Sequence, residues 1–327
     1  MGEFDFIQHY FGGAATGSAV ALGVGDDCAL LAPAPGQQLA VTSDALVQGV
    51  HFFADVPPDA LGHKALAVNL SDLAACGAEP LAFTLALALP PELAQDTAWM
   101  RAFAGGLLAC AREYGCPLVG GDTTAAPVLT ISITVLGTVP PAQALRRDGA
   151  RAGDEVWVSG TLGDARLALG ALQGHWALPP AVLAAARARL ERPVPRVALG
   201  QALRGVASAC IDVSDGLAGD LGHILRASGV GACLNAAALA ACLIARNALE
   251  EWPKGCPSAL ELALRGGDDY ELAFTAPPAE REGVLAAARQ AGCAVRCIGT
   301  IETTPGLRLR HAGGCTEETP ARAFAHF

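Results

Sequence analysis

Lysine is almost missing from this chain: it occurs only at Lys64 and Lys254, against twenty arginines. The net charge of −10 leaves no basic stripe to neutralise a phosphate backbone, which excludes nucleic acid as a partner. Long apolar runs are missing too. Residues 81–89 and 236–244 are among the most apolar stretches, and both fall far short of the roughly 20 residues of a membrane span. The first ten residues carry Glu3 and Asp5 and lack a basic start followed by an apolar block, so a cytoplasmic location is expected. The eleven cysteines are odd in number and scattered in spacing, which argues against a disulfide framework, and no CxxC pair exists to signal a zinc site or a thioredoxin-like motif. Cys28, Cys76, Cys110, Cys210 and Cys233 sit inside apolar runs, where cysteine acts as a small hydrophobe, so reduced and mostly buried thiols are expected.

Familiar catalytic signatures are absent as well. There is no GxxxxGK[ST] phosphate loop, and Gly23-Val24-Gly25-Asp26-Asp27-Cys28 fails the GxGxxG pattern. Neither an HRD-plus-DFG set, nor HExxH, nor a GxSxG elbow is found. A nucleotide-using enzyme with so few lysines must neutralise phosphate by other means, and metal ions held by carboxylates are the obvious route.

What is present suits two domains sharing a cleft. The chain has 327 residues, 52% of them hydrophobic, more than one core usually takes. Residues 3–11 read as a short amphipathic helix, and 19–31 and 38–44 as two strands around a turn at Ala34-Pro35-Gly36-Gln37. Residues 61–76 read as a helix stopped by Gly77, 81–89 as a strand, 95–114 as a helix and 127–139 as a long strand. The character changes over 140–153, which divides the chain into an N-terminal domain, 1–148, and a C-terminal α/β domain, 149–327. In the second half, strands at 155–159, 207–213, 270–275 and 294–300 alternate with helices near 164–172, 180–190, 196–203 and 279–291. That alternation predicts an α/β or α+β layered fold.

Carboxylates recur beside glycines at the ends of apolar segments: Gly25-Asp26-Asp27, Thr42-Ser43-Asp44, Asn69-Leu70-Ser71-Asp72, Gly120-Gly121-Asp122, Asp212-Val213-Ser214-Asp215-Gly216 and Gly266-Gly267-Asp268-Asp269. If the first hairpin turns about Pro35-Gly36, Asp27 faces Asp44, and opposed like charges are tolerable only with a cation between them. Asn69 and Asp72, three apart, share one face of an otherwise apolar helix. A buried carboxylate there needs a partner or a metal. Cys210, Asp212 and Ser214 fall on one face of a strand, Ile211 and Val213 on the other, and Ser214 is placed to cap the next helix. The two GGD segments supply glycines that let backbone approach a ligand closely, a weak signal alone because GGD occurs in many turns. Six spaced aspartates with few lysines suit phosphoryl transfer between two anionic partners, where charge neutralisation and in-line positioning dominate.

The order GVGDDCALL, TSDALVQGVHF, HKALAVNLSDLAACGAEP, LVGGDTT, RRDGARAGD, IDVSDGLAGDLGHI and GGDDYELAF closely resembles thiamine-monophosphate kinase, collinearly from near residue 3 to the C-terminus. The resemblance implies a two-domain fold like that of aminoimidazole ribonucleotide synthetase. The N-terminal domains would pair in a homodimer, with ATP at the interface. It implies direct, magnesium-assisted transfer of the γ-phosphoryl group of ATP to thiamine monophosphate, the last step of thiamine diphosphate biosynthesis. Carried onto this chain, the ligands of several magnesium ions are Asp27, Thr42, Ser43, Asp44, Asp72, Asp122, Asp212 and Asp215. Tyr114, Gly121, Asp122, Arg147 and Ser214 would contact ATP, and His51, Asp268 and Phe324 the acceptor. Asp268 stands where the family usually has a glutamate, and Ala321 where it has an aromatic, with Phe324 and Phe327 nearby.

Two other readings share these motifs. One is another ATP-using synthetase of the superfamily; selenophosphate synthetase is disfavoured because its reactive cysteine and lysine are missing. The other is a non-catalytic nucleotide- or metal-binding dimer, for which so many crowded charges bring little gain.

Overall fold

The computed structural model describes residues 7, 9–11, 17–24, 28–243, 249 and 251–320. Asp27 and Phe324, and most of the expected 3–11 helix, lie outside them. The chain divides into two compact units, Met1–Leu73 with Ala78–Ala142 and Ala74–Gly77 with Gln143–Phe327.

The first unit contains β1 (Val20–Leu22), β2 (Leu30–Leu31), β3 (Gln38–Val47), α1 (Pro58–Ala75, its last two residues in the second unit), β4 (Glu79–Leu89), α2 (Pro91–Gln95), α3 (Thr97–Glu113), β5 (Leu118–Ala125) and β6 (Thr130–Val139). A four-stranded sheet runs in the order β3-β6-β4-β5. β6 alternates strictly, with Ile131, Ile133 and Val135 buried and Ser132, Thr134 and Leu136 half-buried on the other face. α1 covers the buried face, and Leu73 on it meets Gly137 of β6. α1 and α3 cross almost backbone to backbone. A Cβ on Gly62 would lie 2.1 Å from the Phe103 carbonyl oxygen, and one on Gly106 would lie 1.9 Å from that of Asp59. Fully buried Phe83, Phe103, Leu66 and Leu70 fill the interior, each contributing about 1.5–3 kcal/mol by burial.

The expected hairpin is corrected here. The turn forms, with the Gln37 amide 3.3 Å from the Ala34 oxygen, but β3 does not pair back across it. β2 pairs with β1 in a separate two-stranded sheet, and β3 pairs with β6 over ten residues, Gln38↔Val139 to Val47↔Thr130. Pro33 and Pro35 lack the amides that would carry a ladder into the turn, and the long Thr/Ser strand offers a better partner. Gly120-Gly121-Asp122 lies inside β5, paired in parallel with β4.

The second unit contains β7 (Glu155–Ser159), α4 (Asp164–Leu172), α5 (Pro180–Glu191), α6 (Val197–Ala202), β8 (Ala209–Val213), α7 (Leu217–Ser228), β9 (Gly231–Asn235), α8 (Ala236–Ala240), α9 (Ala259–Arg265), β10 (Glu271–Ala276), α10 (Arg281–Gln290), β11 (Val295–Glu302), β12 (Gly306–Arg310) and β13 (Thr316–Thr319). Its seven-stranded sheet runs β13-β12-β9-β11-β7-β10-β8. Val156 and Val158, Ile211 and Val213, and Leu217, Leu221 and Ile224 of α7 form one core on one face. Cys210 and Asp212 therefore fall on the opposite face, as their alternation predicts.

All eleven cysteines are free thiols. Cys110, Cys210 and Cys233 are buried as expected, whereas Cys28 and Cys76 are exposed. Cys76 follows the last residue of α1, where the helix no longer covers it.

Candidate active site

In the first unit, β3 is an edge strand whose alternate residues face α1. Thr42 and Asp44 are on that side, and they meet the polar spot read from the helix. The Thr42 hydroxyl donates to Asp72 Oδ2 in a short contact. Asn69, fully buried, donates from Nδ2 to the Ala65 oxygen at 3.2 Å and accepts the Asp44 amide on Oδ1 at 3.1 Å. Asn69 thus locks β3 to α1 and sets Asp44 beside the Thr42–Asp72 contact. Ser43 points the other way, within 3.0 Å of the Thr134 hydroxyl and 3.2 Å of the Ile133 oxygen.

Two carboxylates and a hydroxyl are the donor set of a hard divalent cation. Among the described residues no three His, Cys, Asp or Glu side chains converge into a metal cage. Magnesium does not need one, since it is usually held by one or two carboxylates plus phosphate oxygens. The residues present fit such an ion.

Asp122 is not in this group. The register runs from Ala45 through Ser132 and Ala86 to Asp122. That places Asp122 three strands from β3, about 14 Å across the sheet, on the face that Ser43 shares. It is exposed and accepts the Thr123 amide at 2.9 Å. Gly121 beside it admits no side chain, because a Cβ would lie 1.9 Å from the Leu85 oxygen of β4. Tyr114 ends α3, half-buried, its amide on the Cys110 oxygen. His51 accepts the Val47 amide on Nδ1 at 3.0 Å, so a neutral ring carries its proton on Nε2.

In the second unit, β8 brings Asp212, 6% exposed, to the Ser214–Gly216 turn. The expected Ser214 cap is corrected: α7 starts at Leu217, with Gly216 (φ 107°) at its N-cap and no side chain capping it. Ser214 lies too far ahead of the helix. Its turn is held instead by Asp220 Oδ2, which accepts the Ser214 and Asp215 amides at 3.1 Å each. Burial pushes the Asp220 carboxyl up to about 7, against the pull of the Asp215 and Ser214 amides. Exposed Arg147 lies near enough for its charge to act on both Asp220 and His223, and the Asp215 charge acts on the same two. The Arg147 carbonyl accepts the Ser228 hydroxyl at 2.9 Å, and Ser228 Oγ in turn accepts the Ala150 amide at 3.1 Å. Arg147, Ser214, Asp215 and Asp220 thus gather at the start of α7.

Asp268 enters the same neighbourhood through its backbone, its amide donating to the Ser214 oxygen at 2.7 Å. Sequence reasoning gave no role to Asp220, Asp269 or Glu271. Asp220 had a signal, a carboxylate in the first turn of the helix after Ser-Asp-Gly. The partners of Asp269 and Glu271 are more than 70 residues away in sequence.

Comparison with known proteins sets the class first. Residues 25–139 match the N-terminal domain, and 151–312 the C-terminal domain, of AIR synthase related proteins. The chain is 44% identical over 302 residues to the thiamine-monophosphate kinase of Salmonella typhimurium, covering 92% of this chain and 90% of that one. Among solved structures, thiamine-monophosphate kinase from Stenotrophomonas maltophilia superposes with a TM-score of 0.81 at 45% identity, covering 89% and 91% of the two chains. AaThiL complexed with AMPPCP and TMP superposes at 0.72 and 28% identity, covering 96% and 95%. The chain belongs to the thiamine-monophosphate kinase family, with the mixed α/β, two-domain fold of AIR synthase related proteins.

Proposed function

We propose that this chain transfers the γ-phosphoryl group of ATP to thiamine monophosphate, giving thiamine diphosphate and ADP. The observation that carries the reading is 44% identity to a thiamine-monophosphate kinase over nine-tenths of both chains. The AaThiL complex, with an ATP analogue and TMP bound to a homologous fold, supports both substrates. The same comparisons favour this reading over a different synthetase of the superfamily or a binding-only dimer.

Magnesium is the metal that fits. Thr42, Asp44 and Asp72 would hold one ion, with Asp27 joining them, and Asp212 and Asp215 another. Bound there, magnesium would screen the phosphates and stabilise charge on the transferring group. Arg147, Ser214 and Tyr114 would bind ATP, and His51, Asp268 and Phe324 the acceptor. The domains at 1–148 and 149–327 would each supply part of this set.

A homodimer accounts for Asp122. Ser43 and Asp122 share the outer face of the first unit's sheet with Leu39 and Val41, which are 54% and 63% exposed. Pairing that face with a second copy would cover the apolar residues and bring Gly121 and Asp122 to an interface where ATP lies. Among the described residues no helix is long and apolar enough to cross a membrane, in keeping with a cytoplasmic enzyme.

The test is a product assay with purified protein, ATP, magnesium and thiamine monophosphate. Thiamine diphosphate that disappears with EDTA supports the reading, and its absence with both substrates saturating overturns it. Arg147→Ala is expected to weaken ATP binding by at least tenfold, about 1.4 kcal/mol, without changing the unfolding midpoint. Titration calorimetry checks the first and thermal denaturation the second; unchanged affinity would remove Arg147 from the nucleotide site.

A further inference from the structure

Among the described residues only three non-glycines hold positive φ: Ala142 at 61°, Asp268 at 59° and Tyr270 at 50°. Two of the three flank a single residue, Asp269. Left-handed backbone is unfavourable for L side chains and persists only where the surroundings over-determine it.

The surroundings here are specific. Asp269 is 3% exposed, and its carboxylate oxygens lie 2.9 and 3.0 Å from the Gly163 amide. Gly163, at φ 89°, is the N-cap of α4, and a Cβ on it would lie 2.7 Å from the Leu262 carbonyl carbon. The grip of Asp269 therefore falls on a backbone that cannot move aside. On the far side, the Tyr270 amide donates to the Val213 oxygen at 2.8 Å, and β10 then pairs with β8 from Glu271↔Val213 onward. Glu271 is anchored in turn by Arg189, Arg196 and Ser159. The segment 268–270 is thus stretched between the start of α4 and the Val213–Ser214 turn.

We propose that Asp269 is a positioning residue: by holding the Gly163 amide it keeps Asp268 and Tyr270 in left-handed backbone, and so sets where the Asp268 side chain meets the acceptor. This rests on the reading of Asp268 as an acceptor contact. Asp269 touches no substrate itself.

Asp269→Ala and Asp269→Asn separate this role from simple support of the fold. Asp269→Ala should raise the KM for thiamine monophosphate at least tenfold and leave the KM for ATP within twofold. Asp269→Asn keeps an oxygen for the Gly163 amide and should recover most of the loss. In hydrogen exchange, the Asp268 and Tyr270 amides of Asp269→Ala should exchange at least tenfold faster, with the Leu272–Thr275 amides unchanged. A folded Asp269→Ala protein with unchanged acceptor KM and unchanged exchange overturns the proposal. If Asp269→Ala does not fold, Asp269→Glu, which displaces the carboxylate by one methylene, is read in the same two ways, and no change in either overturns it. If the wild-type protein makes no thiamine diphosphate, the functional reading fails separately. Exchange at Asp268 and Tyr270 then decides the positioning role alone, and unchanged protection overturns it.

Discussion

Asp72→Asn is expected to lower kcat by roughly two to three orders of magnitude while leaving the unfolding midpoint unchanged or slightly higher. The asymmetry follows from the geometry. The side-chain amide oxygen of this variant would still accept the Thr42 hydroxyl, so the contact that ties α1 to β3 survives. What disappears is a negative charge beside Asp44, and without metal two neighbouring carboxylates repel each other. Asp44→Asn should behave in the same way, because Asn69 holds its backbone amide and not its side chain. Steady-state kinetics at saturating magnesium, paired with thermal denaturation in EDTA, checks both halves. An Asp72→Asn protein that is unfolded, or one that keeps most of its turnover, would contradict the assignment.

Glu271→Ala is expected to act in the opposite sense, on stability first. The Glu271 carboxylate is fully buried and accepts four hydrogen bonds: 2.5 Å from Ser159 Oγ, 2.5 Å from Arg189 Nη2, and 2.6 Å from both Nε and Nη2 of Arg196. Arg189 and Arg196 side chains are only 19% and 17% exposed. Removing the carboxylate takes a shared acceptor away from two mostly buried guanidinium groups. Breaking a buried pair from one side costs about 3–5 kcal/mol. Glu271→Gln, which keeps the shape and two polar atoms, should lose less. Urea denaturation measures the difference, and a loss below about 1 kcal/mol would place this cluster with ordinary surface ion pairs.

Much of this molecule is legible in its sequence, and the parts that are not share a cause. Local period was enough for β6, for the Asn69–Asp72 face of α1, and for the Asp212 side of β8, because each depends on residues two to four apart. The partner of β3 was not legible, since it lies about 90 residues downstream and the nearby turn looked sufficient. The strand around Gly120-Gly121-Asp122 was not legible because glycine is depleted from strands; here Gly121 is required by the close approach of β4. Ser214 carried the right chemistry for a cap but stands ahead of the helix, and Asp220 reaches back in its place. Cys28 and Cys76 show that an apolar neighbourhood in sequence does not fix burial. Asp269, in the last carboxylate segment, and Glu271, inside the expected strand, had no legible partners until Gly163, Arg189 and Arg196 were brought to them by the fold.

The most direct test of the central claim follows the phosphorus itself. In a 31P NMR time course with ATP, magnesium and thiamine monophosphate, the γ-phosphoryl signal should pass into the terminal phosphate of thiamine diphosphate, with one ADP formed per product. ADP accumulating with inorganic phosphate and no thiamine diphosphate would contradict the account.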